Sequence, residues 1–377
     1  MESVKILHCA ALHIGAAASF LNERAESRRF EALLTFERIV ALARENGVQI
    51  MLIAGDLFHS NSIESSFCDR VFEALRSIPD IKIVFSAGNH DPLSADSPFL
   101  KYKLPENLYV MGTEDDCKVF EDLGVRVFGK SFKEVYCKGE KAFSIVPPQD
   151  DYINLMCIHG DLKSDLSSNY NPITADFISN SGMDYIALGH VHKKTEIGKI
   201  GNTYCAYCGC PEGQGFDELG EKGVYIGEVK KGSCELAFFP CAKRMHLCEN
   251  IDIGGCDSSV SASEKIVDEL RTRYPDIYAE NLYKIILTGN IDESADISTA
   301  EITSRLNGQF YYIKVRDNTE SLIDFELLSQ EKSLKGIFVK NMLDAINAAD
   351  EAEKEKYKTA LLLGLKAFSA EVTFDEN

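Results

Sequence analysis

Apolar positions in the first ninety residues alternate between strand-like runs and helical spacing. Continuous apolar runs at 3–10, 48–55 and 81–88 indicate buried strands. Between them, residues 22–46 and 68–75 carry apolar side chains three and four positions apart, which predicts two helices. A strand-helix-strand-helix-strand succession is typical of a sheet covered by helices.

Beyond residue 107 the apolar runs become shorter and are separated by turn residues. They read LYVMG, VRVFG, INLMCIHG, YIALGH, GVYIGEV and CELAFFP, which predicts a strand-rich second half. We therefore expect residues 1–245 to form one α/β domain, with CAKRM at 241–245 as its exit.

Residues 246–328 have the pattern of a smaller α+β unit. Strands are predicted at 250–253, 282–289 and 310–316, and helices at 262–273 and 297–306. Ser261 and Ser263 are the candidate N-caps of the first of these helices.

The remaining segment, 329–377, is predicted to be a helical tail. Leu334, Phe338, Met342 and Ile346 form a narrow apolar stripe, and a charged helix follows at 351–368. The stripe has two interpretations: it packs on its own domain, or it docks a partner.

Composition indicates a soluble globular protein without a membrane anchor. The 377 residues are 45% hydrophobic and 26% charged, which suits one large domain with one or two small ones. No apolar stretch approaches the roughly 20 residues of a membrane span, and the N-terminus lacks a secretory pattern. We therefore expect a cytoplasmic protein whose 12 scattered cysteines are mostly buried free thiols.

The net charge of −19 limits any role with nucleic acid. Phosphate binding draws on lysine and arginine and on the counterions that they displace. A basic groove, metal ions or a partner must offset the charge if DNA is the substrate, and the same charge favours small substrates as the alternative.

Seven of the eight histidines follow apolar runs, in HCAALHIG, IAGDLFH, SAGNHD, MCIHGD and ALGHVH. In such sheets the carboxyl ends of the strands form the ligand crevice, so we expect these side chains to converge. Imidazole and carboxylate together ligate Zn, Mn or Fe and indicate a hydrolytic site. Asp56 can bridge two cations, Asn89 offers a neutral oxygen, and His190 and His192 share one side of an extended chain.

The set GDLFH, GNHD, CIHG and GHVH resembles the signature of the calcineurin-like metallophosphoesterases, which is D-x-H, G-D-x, G-N-H-[DE], H and G-H-x-H in this order. The resemblance narrows to the DNA-repair exonuclease branch, the SbcD-like and YhaO-type nuclease subunits. Residues 36–60, 185–193, 211–223 and 331–343 carry this narrower resemblance.

The resemblance implies a four-layer α/β/β/α sandwich, a small capping domain at 246–328 and a dinuclear manganese site. It assigns His13, Asp56 and His192 to one metal ion, and Asp56, Asn89, His159 and His190 to the other. It also implies that His90 protonates or stabilises the leaving oxygen and that His59 orients His90.

One position departs from the family pattern. Where D-x-H requires aspartate, this chain has Ala11, so the first metal ion loses a ligand and a negative charge. We expect weaker occupancy of that site rather than a collapsed fold. Ala11 also motivates a third hypothesis, a catalytically silent scaffold.

Partners follow from the same resemblance. It implies DNA as substrate, an SbcC-like coiled-coil ATPase docked on the tail 329–377, and a homodimer. Lys193 and Lys194 are candidate phosphate contacts because they directly follow GHVH. Arg28 and Arg29 are interpreted as a solvated helix face.

Three further features are assigned structural roles. His8 is interpreted as a buried strand residue and His246 as incidental. The group Cys205, Cys208 and Cys210 is interpreted as part of a turn, with a zinc site as the less favoured alternative because no second C-x-x-C completes it.

Overall fold

The protein, a computed structural model, is described over residues 3–112, 116–138, 146–163, 167–292, 295–322 and 324–368. The chain divides into two compact units. The first comprises Met1–Cys248 with Glu280–Tyr283, and the second comprises Glu249–Ala279 with Lys284–Asn377. The separation of 246–328 from the tail stays a prediction, and the tail beyond residue 368 lies outside the described residues.

The first unit alternates strands and helices as far as its fourth strand and is then mainly strands. In chain order it contains β1 (Val4–Cys9), a 3-10 helix (Ser19–Arg24), α1 (Ala25–Glu45), β2 (Ile50–Ile53), α2 (Ser65–Arg76), β3 (Lys82–Phe85), α3 (Pro98–Lys101), β4 (Leu108–Val110), β5 (Asp116–Phe120), β6 (Val125–Lys130), β7 (Ile153–His159), β8 (Asp161–Leu162), β9 (Pro172–Ile173), α4 (Ala175–Asn180), β10 (Tyr185–Gly189), β11 (Gly198–Ile200), β12 (Thr203–Tyr207), β13 (Gly223–Lys230) and β14 (Ser233–Pro240). β15 (His246–Asp252) leads out of it.

Two six-stranded sheets form the first unit, in the orders β14-β13-β1-β2-β3-β4 and β11-β12-β10-β7-β6-β5. The strands β1 to β4 pair in parallel, and so do β6, β7, β10 and β12. The edge strands β14, β5 and β11 are antiparallel to their neighbours, as is β13 to β1. All the parallel strands of one sheet therefore end at the same edge.

Three apolar clusters separate four layers. One lies between the first sheet and helices α1 and α2, with Leu33, Phe36 and Val71 packed on Leu7 and Ile53. A second lies between the sheets, and a third lies between the second sheet and α4. The α/β/β/α sandwich is confirmed, and each layer arises because strand residues alternate between the two faces of their sheet.

The first helix begins three residues later than its apolar spacing predicts. The 3-10 helix Ser19–Arg24 precedes it, and Asn22 has a φ of 49°, which no α-helix accommodates. The pattern also missed β12 and α4. Both are short, so the alternation on which the prediction depends is hardly developed in them.

His8 is a structural residue of the region between the sheets. Its Nε2 donates to the carbonyl oxygen of Leu188 at 3.2 Å, and its Nδ1 accepts from the hydroxyl of Tyr185 at 2.8 Å. Burial lowers the pKa of His8 to about 3. The folded protein therefore keeps this imidazole neutral.

We predict that His8 makes folding acid-sensitive. The unfolded chain takes up a proton near pH 6.5 and the folded chain does not, so stability present above pH 6.5 falls by about 1.4 kcal/mol per pH unit on acidification. A His8→Asn variant lacks this contribution, so the difference in unfolding free energy between wild type and variant should shrink from pH 7 to pH 5. Urea unfolding at both pH values measures it, and a difference independent of pH would contradict the prediction.

The interpretation of Arg28 as a solvated residue is wrong. Its guanidinium is buried and donates to Glu31 at 2.5 Å, to Glu212 at 2.6 Å and to the carbonyl oxygen of Gly213 at 2.6 Å. Arg244 donates to Glu31 as well. Sequence spacing could not reveal this because Glu212 lies 184 positions away.

The second unit is small and mixed. It contains α5 (Ser259–Arg273), a 3-10 helix (Tyr278–Glu280), β16 (Leu282–Thr288), β17 (Asn290–Asp292), α6 (Thr299–Leu306), β18 (Tyr312–Asp317), β19 (Glu320–Leu322), α7 (Phe325–Ser329), α8 (Leu334–Ala348) and α9 (Glu351–Phe368). The end of the 3-10 helix and the start of β16, within Glu280–Tyr283, belong to the first unit. One sheet has the order β15-β16-β18.

The N-cap of α5 differs from both predicted residues. Ser258 caps the helix, and Ser261 completes a capping box from the third helical position. The helix therefore begins one turn earlier than its apolar spacing suggests, because serines occupy its first turn.

The tail helices pack on one another. Val339, Leu361 and Leu365 form a small core with Leu328, and Phe338, Met342 and Ile346 lie against it. Leu334, the first residue of the predicted stripe, is 73% exposed. Ile337 and Leu363 are each more than half exposed. Part of the stripe is thus covered within the tail, and apolar side chains of both tail helices remain exposed.

Among the described residues, no helix is both long enough and apolar enough to cross a membrane. Seven buried cysteines contribute to the cores, namely Cys9, Cys68, Cys157, Cys205, Cys208, Cys210 and Cys241.

Candidate metal centre

The predicted ligands lie on loops that leave the parallel strands at one edge of each sheet. The loop after β1 carries His13, the loop after β2 carries Asp56, and the loop after β3 carries Asn89. In the second sheet His159 ends β7 and His190 follows β10. The predicted convergence is therefore present in the described structure, because parallel strands deliver their carboxyl ends to a common crevice.

Backbone bonds continue beyond the strands and fix the first two loops together. Ala11 N–H donates to Gly55 O at 3.0 Å, and His13 N–H donates to Asp56 O at 2.9 Å. Four non-glycine residues here adopt positive φ: Ala11, His13, Asp56 and His190. Such backbone conformations are costly for L-residues, and they concentrate at functional sites where the surrounding structure enforces them.

Two glycines allow the loops to approach. Gly55 has a φ of 83°, and a Cβ there would lie 2.5 Å from Nδ1 of His159. A Cβ on Gly88 would lie 2.2 Å from Oδ1 of Asp56. Glycine in GDLFH and in GNHD is therefore a requirement of close packing around Asp56 and His159.

Asp56, Asn89 and His159 direct three potential ligand atoms at one another. Nδ1 of His159 donates to Ala54 O at 2.9 Å, so Nε2 is the ring nitrogen that faces the group. That Nε2 lies 3.0 Å from Asn89 Oδ1 and 3.3 Å from Asp56 Oδ2. His190 joins them, with ligand atoms of Asp56, His159 and His190 all within 4.8 Å.

The electrostatics of this group need a cation. Burial alone would raise the pKa of Asp56. The positive charge of His159 and the hydrogen bond that His159 donates lower this pKa well below its usual range. Burial lowers the pKa of His159, while the Asp56 carboxylate more than compensates and raises it. Burial and the charge of His159 lower the pKa of His190 to about 4. A protonated His159 thus holds the Asp56 carboxylate ionised, and a metal ion bound there would take over that role.

A second group surrounds His13. Its Nε2 lies 2.9 Å from Nε2 of His192 and 3.8 Å from Oδ2 of Asp56. Its Nδ1 is buried and finds no hydrogen-bond partner among the described residues. Ligand atoms of His13, His59 and His90 also lie within 4.8 Å of one another.

Glu218, which the sequence interpretation missed, fixes the ring of His192. The carboxylate accepts from Nδ1 of His192, so Nε2 of His192 is the acceptor in its 2.9 Å contact with Nε2 of His13. Burial raises the pKa of Glu218, but the hydrogen bond from His192 dominates and lowers it to about 2. A carboxylate behind a histidine that faces a metal site is the usual outer-sphere arrangement. Residues 211–223 gave the only sequence signal for it.

His90 is held from two sides. Its Nδ1 donates to the backbone carbonyl oxygen of His59 at 3.0 Å, and its backbone N–H donates to Asp56 Oδ1 at 2.9 Å. The hydrogen bond between His59 and His90 thus involves the main chain of His59, while the two rings lie 5.2 Å apart. Nε2 of His90 remains available toward the crevice.

Asp91, the last residue of GNHD, organises the loop of Asp56. Its carboxylate accepts from four backbone N–H groups, those of Asp56, Leu57, Phe58 and Gly88, at 2.7 to 3.2 Å. Burial and the charge of Asp56 raise the pKa of Asp91 to about 6. The motif was read for its ligands, so this supporting role was missed.

Ala11 is fully buried beside these loops. It packs in the cluster between the sheets, together with Cys208 and Cys210. A methyl group contributes no ligand, so the His13 group has one carboxylate, Asp56, where the family pattern has two.

Lys193 and Lys194 line a cavity of about 310 Å³ next to His192, together with Lys222. Lys222 is only 8% exposed and its Nζ lies 3.4 Å from His192 O. Nζ of Lys194 lies 3.6 Å from the centre of the Phe238 ring. The structure thus gathers three cations beside the candidate centre, one more than the sequence suggested.

Of the remaining candidates, Cys210 lies at the edge of the centre. Its Sγ donates to Oε2 of Glu218 at 3.4 Å, and ligand atoms of Cys210, His192 and Glu218 lie within 4.8 Å of one another. Burial raises the pKa of Cys210, so it stays a thiol.

Cys205 packs between the second sheet and α4, whereas Cys208 and Cys210 pack between the sheets, so the three cysteines do not form one cluster. His246 is buried against Phe20 and Phe216.

The donor set fits two divalent cations. Imidazole nitrogens, one carboxylate and one amide oxygen converge on two adjacent points, and a buried nitrogen of His13 lacks any partner that the structure describes. Nitrogen and oxygen ligands without thiolates suit Zn, Mn or Fe at a hydrolytic site.

The profile of the calcineurin-like phosphoesterase family matches residues 4–194 of this chain, about half of its length. That span contains every predicted ligand. The family uses a dinuclear divalent metal centre.

Several known protein sequences are similar to the chain. The uncharacterized metallophosphoesterase YhaO of Bacillus subtilis (strain 168) is 29% identical over 251 residues, 63% of this chain and 60% of that protein. The DNA double-strand break repair protein Mre11 of Methanopyrus kandleri is 25% identical over 252 residues, 61% of this chain and 55% of that protein. The protein of the same name from Saccharolobus solfataricus is 23% identical over 238 residues, with 60% and 61% covered. The chain thus spans less than two thirds of each relative.

Proposed function

We propose that this chain, which belongs to the calcineurin-like phosphoesterase family, is a metal-dependent phosphodiesterase. It would hydrolyse DNA as the exonuclease subunit of a repair complex. The observation that carries the proposal is the convergence of Asp56, Asn89, His159 and His190 on one point, with His13 and His192 beside it. The similarity to proteins named for double-strand break repair favours DNA over other diesters.

The ligands divide into two sets that share Asp56. His13, Asp56 and His192 would hold one ion, and Asp56, Asn89, His159 and His190 would hold the other. Two divalent ions there, which we propose to be Mn²⁺, would neutralise phosphate charge and acidify water. The chain itself keeps Asp56 ionised, and because the Nδ1 atoms of His159 and His192 have other partners, their Nε2 atoms are the ones left to face the ions.

His90 is placed to manage the leaving group. Because its Nδ1–H is committed to His59 O, only Nε2 can exchange a proton with the crevice. We assign this atom to protonating or stabilising the leaving oxygen of the scissile ester. His59 acts through its carbonyl oxygen, which a side-chain substitution would leave in place.

We predict that Glu218→Gln weakens Mn²⁺ binding about 10- to 100-fold, the usual effect of losing an outer-sphere partner of a ligand. The amide keeps the size of the side chain but can no longer stabilise the Nδ1–H tautomer of His192 as a carboxylate does. Equilibrium dialysis measures the affinity without turnover. Glu221→Gln, a nearby carboxylate change, is the control, and an unchanged affinity in Glu218→Gln would refute the role.

Lys193 and Lys194, with Lys222, are proposed to contact substrate phosphates. Each phosphate contact steepens the salt dependence of DNA binding by roughly one power of salt concentration. Lys193→Ala should therefore weaken binding to any DNA sequence and reduce the salt slope by about one. Lys199→Ala, whose ammonium lies over Tyr204, is the control. Equal slopes in wild type and Lys193→Ala would contradict the assignment.

Two alternatives each have an observation in their favour. The net charge of −19 favours a phosphodiesterase or phosphatase on small substrates, and Ala11 favours a catalytically silent scaffold. Offering the Mn²⁺-loaded protein single-stranded DNA and an aryl phosphodiester separates them. Hydrolysis of the ester with intact DNA would support the first alternative, and inertness toward both would support the second.

Partners are part of the proposal, since the chain spans about 55–61% of its relatives' length. We propose that an SbcC-like coiled-coil ATPase covers the exposed apolar side chains of the tail helices, among them Leu334, Ile337 and Leu363. Deleting 330–377 should abolish its co-purification, and unchanged capture would reject the docking site. A homodimer and a cytoplasmic location stay predictions, the first testable by analytical ultracentrifugation.

A further inference from the structure

A series of ring contacts leads from the candidate centre to the surface. The His159 and His190 rings lie 5.2 Å apart, and the Tyr170 ring lies 4.9 Å from His190 with its plane inclined by 34°. Tyr136 follows at 5.8 Å from Tyr170, inclined by 39°. Tyr136 is 58% exposed, so the series begins at a buried ligand and ends on an open aromatic face.

Backbone hydrogen bonds hold the two tyrosines beside the ligand strand. Cys137 N–H donates to Asn169 O at 2.9 Å, and Asn171 N–H donates to Cys137 O at 2.8 Å, so the segments of Tyr136 and Tyr170 pair directly. The side-chain amide of Asn171 donates to His159 O at 2.8 Å, and Asp161 N–H donates to Tyr170 O at 3.1 Å. The aromatic pair is thus fixed relative to His159.

The exposed ring of Tyr136 is available to a ligand. An aromatic face left in water gains little burial free energy, and tyrosine is enriched at interfaces because it combines an apolar ring with a polar hydroxyl. Stacking also requires no positive charge. For a chain with a net charge of −19, it is a way to gain affinity for nucleic acid that lysines alone do not provide.

We infer that Tyr170 and Tyr136 form a stacking platform for a nucleobase of the DNA strand whose phosphate occupies the Asp56 and His190 group. The inference rests on the proposed function and adds the feature that the site recognises in its substrate. Every base has a π-face, so the platform would tolerate any sequence. It would favour unpaired bases over a closed duplex, because only an unstacked base can lie on a side chain.

The test uses a single-stranded oligonucleotide carrying 2-aminopurine, whose fluorescence falls when the base stacks. With wild-type full-length chain loaded with Mn²⁺, mixing should quench the fluorescence before hydrolysis proceeds. Tyr136→Ala should abolish the quench and raise KM about 5- to 150-fold, the range of a lost base-aromatic stack, with kcat little changed. Tyr136→Phe should behave as wild type because it keeps the ring.

Two controls make the outcomes decisive. An oligonucleotide with abasic positions should remove the difference between wild type and Tyr136→Ala, and Tyr204→Ala, a substitution at the start of β12, should leave quench and KM unchanged. Equal quench and KM in wild type and Tyr136→Ala would overturn the platform while DNA hydrolysis still upheld the proposed function. If the fluorescence of a 2-aminopurine mononucleotide were quenched as strongly as that of the oligonucleotide, the platform would be assigned to free nucleotides rather than to a DNA strand. DNA neither bound nor cleaved would reject the proposed function itself.

Discussion

Ala11→Asp should raise both the Mn²⁺ affinity of the weaker site and the rate of phosphodiester hydrolysis, each by about 10- to 100-fold. Loss of an outer-sphere partner of a ligand lowers metal affinity or activity by this factor, and a direct ligand should contribute at least as much. The backbone N–H of residue 11 donates to the carbonyl oxygen of Gly55, the residue before Asp56, so residue 11 lies next to the Asp56 loop. Its φ of 49° is a conformation that aspartate tolerates better than most residues, so the backbone need not move.

The same substitution should make folding depend more on metal. Without a cation, a second carboxylate would be buried near Asp56, and like charges in a buried site are costly. We therefore expect the metal-free variant to have a lower melting temperature than the metal-free wild type. Loading with Mn²⁺ should raise the melting temperature of the variant more than that of the wild type. Ala11→Asn, of the same size but uncharged, is the matched control. No gain in affinity or rate in Ala11→Asp would mean that the alanine does not limit this site.

Asp56→Asn should reduce hydrolysis about 1,000-fold or more. Asp56 is 1% exposed, contributes to both proposed ligand sets and is the carboxylate that His159 keeps ionised. Its loss removes charge from both ions at once, and a lost outer-sphere partner alone costs about 10- to 100-fold. The amide can still accept from the backbone N–H of His90, so the loop of GDLFH should keep its conformation.

The activity and the metal content of the variant should fall together. Asp161→Asn, close to His190 but paired with Lys163 at 3.6 Å, is the matched control and should retain both. Elemental analysis of the two purified variants gives the metal content, and initial rates on an aryl phosphodiester give the activity. An Asp56→Asn protein that retained wild-type rates would remove Asp56 from the centre.

Much of the fold was predictable because its strands are buried on both faces and its helices carry a repeating apolar stripe. The runs at 3–10, 48–55 and 81–88 gave β1, β2 and β3, and the four-layer sandwich followed from the resemblance. Short or capped elements were harder. The cap of α5 depends on the geometry of Ser258, and β12 is a five-residue strand whose partners lie elsewhere in the chain.

The site was predictable where residue type and strand end coincide. His13, Asp56, Asn89, His159 and His190 each follow an apolar run, so one topological rule brings them together. Asp91 and Glu218 act through other residues, by holding a loop and a ring. Asp91 lies in GNHD and Glu218 in the segment 211–223, but neither motif shows which atoms the carboxylate contacts. Arg28 was misread for the same reason, since its partner Glu212 is distant in sequence.

Saturation binding of Mn²⁺ to the purified chain, by equilibrium dialysis, tests the proposed dinuclear centre most directly. We expect two ions per chain with unequal affinities, the weaker one tightened by Ala11→Asp and both weakened by Asp56→Asn. Binding of no Mn²⁺, or binding that Asp56→Asn leaves unchanged, would contradict the assignment of these strand ends as a dinuclear metal site.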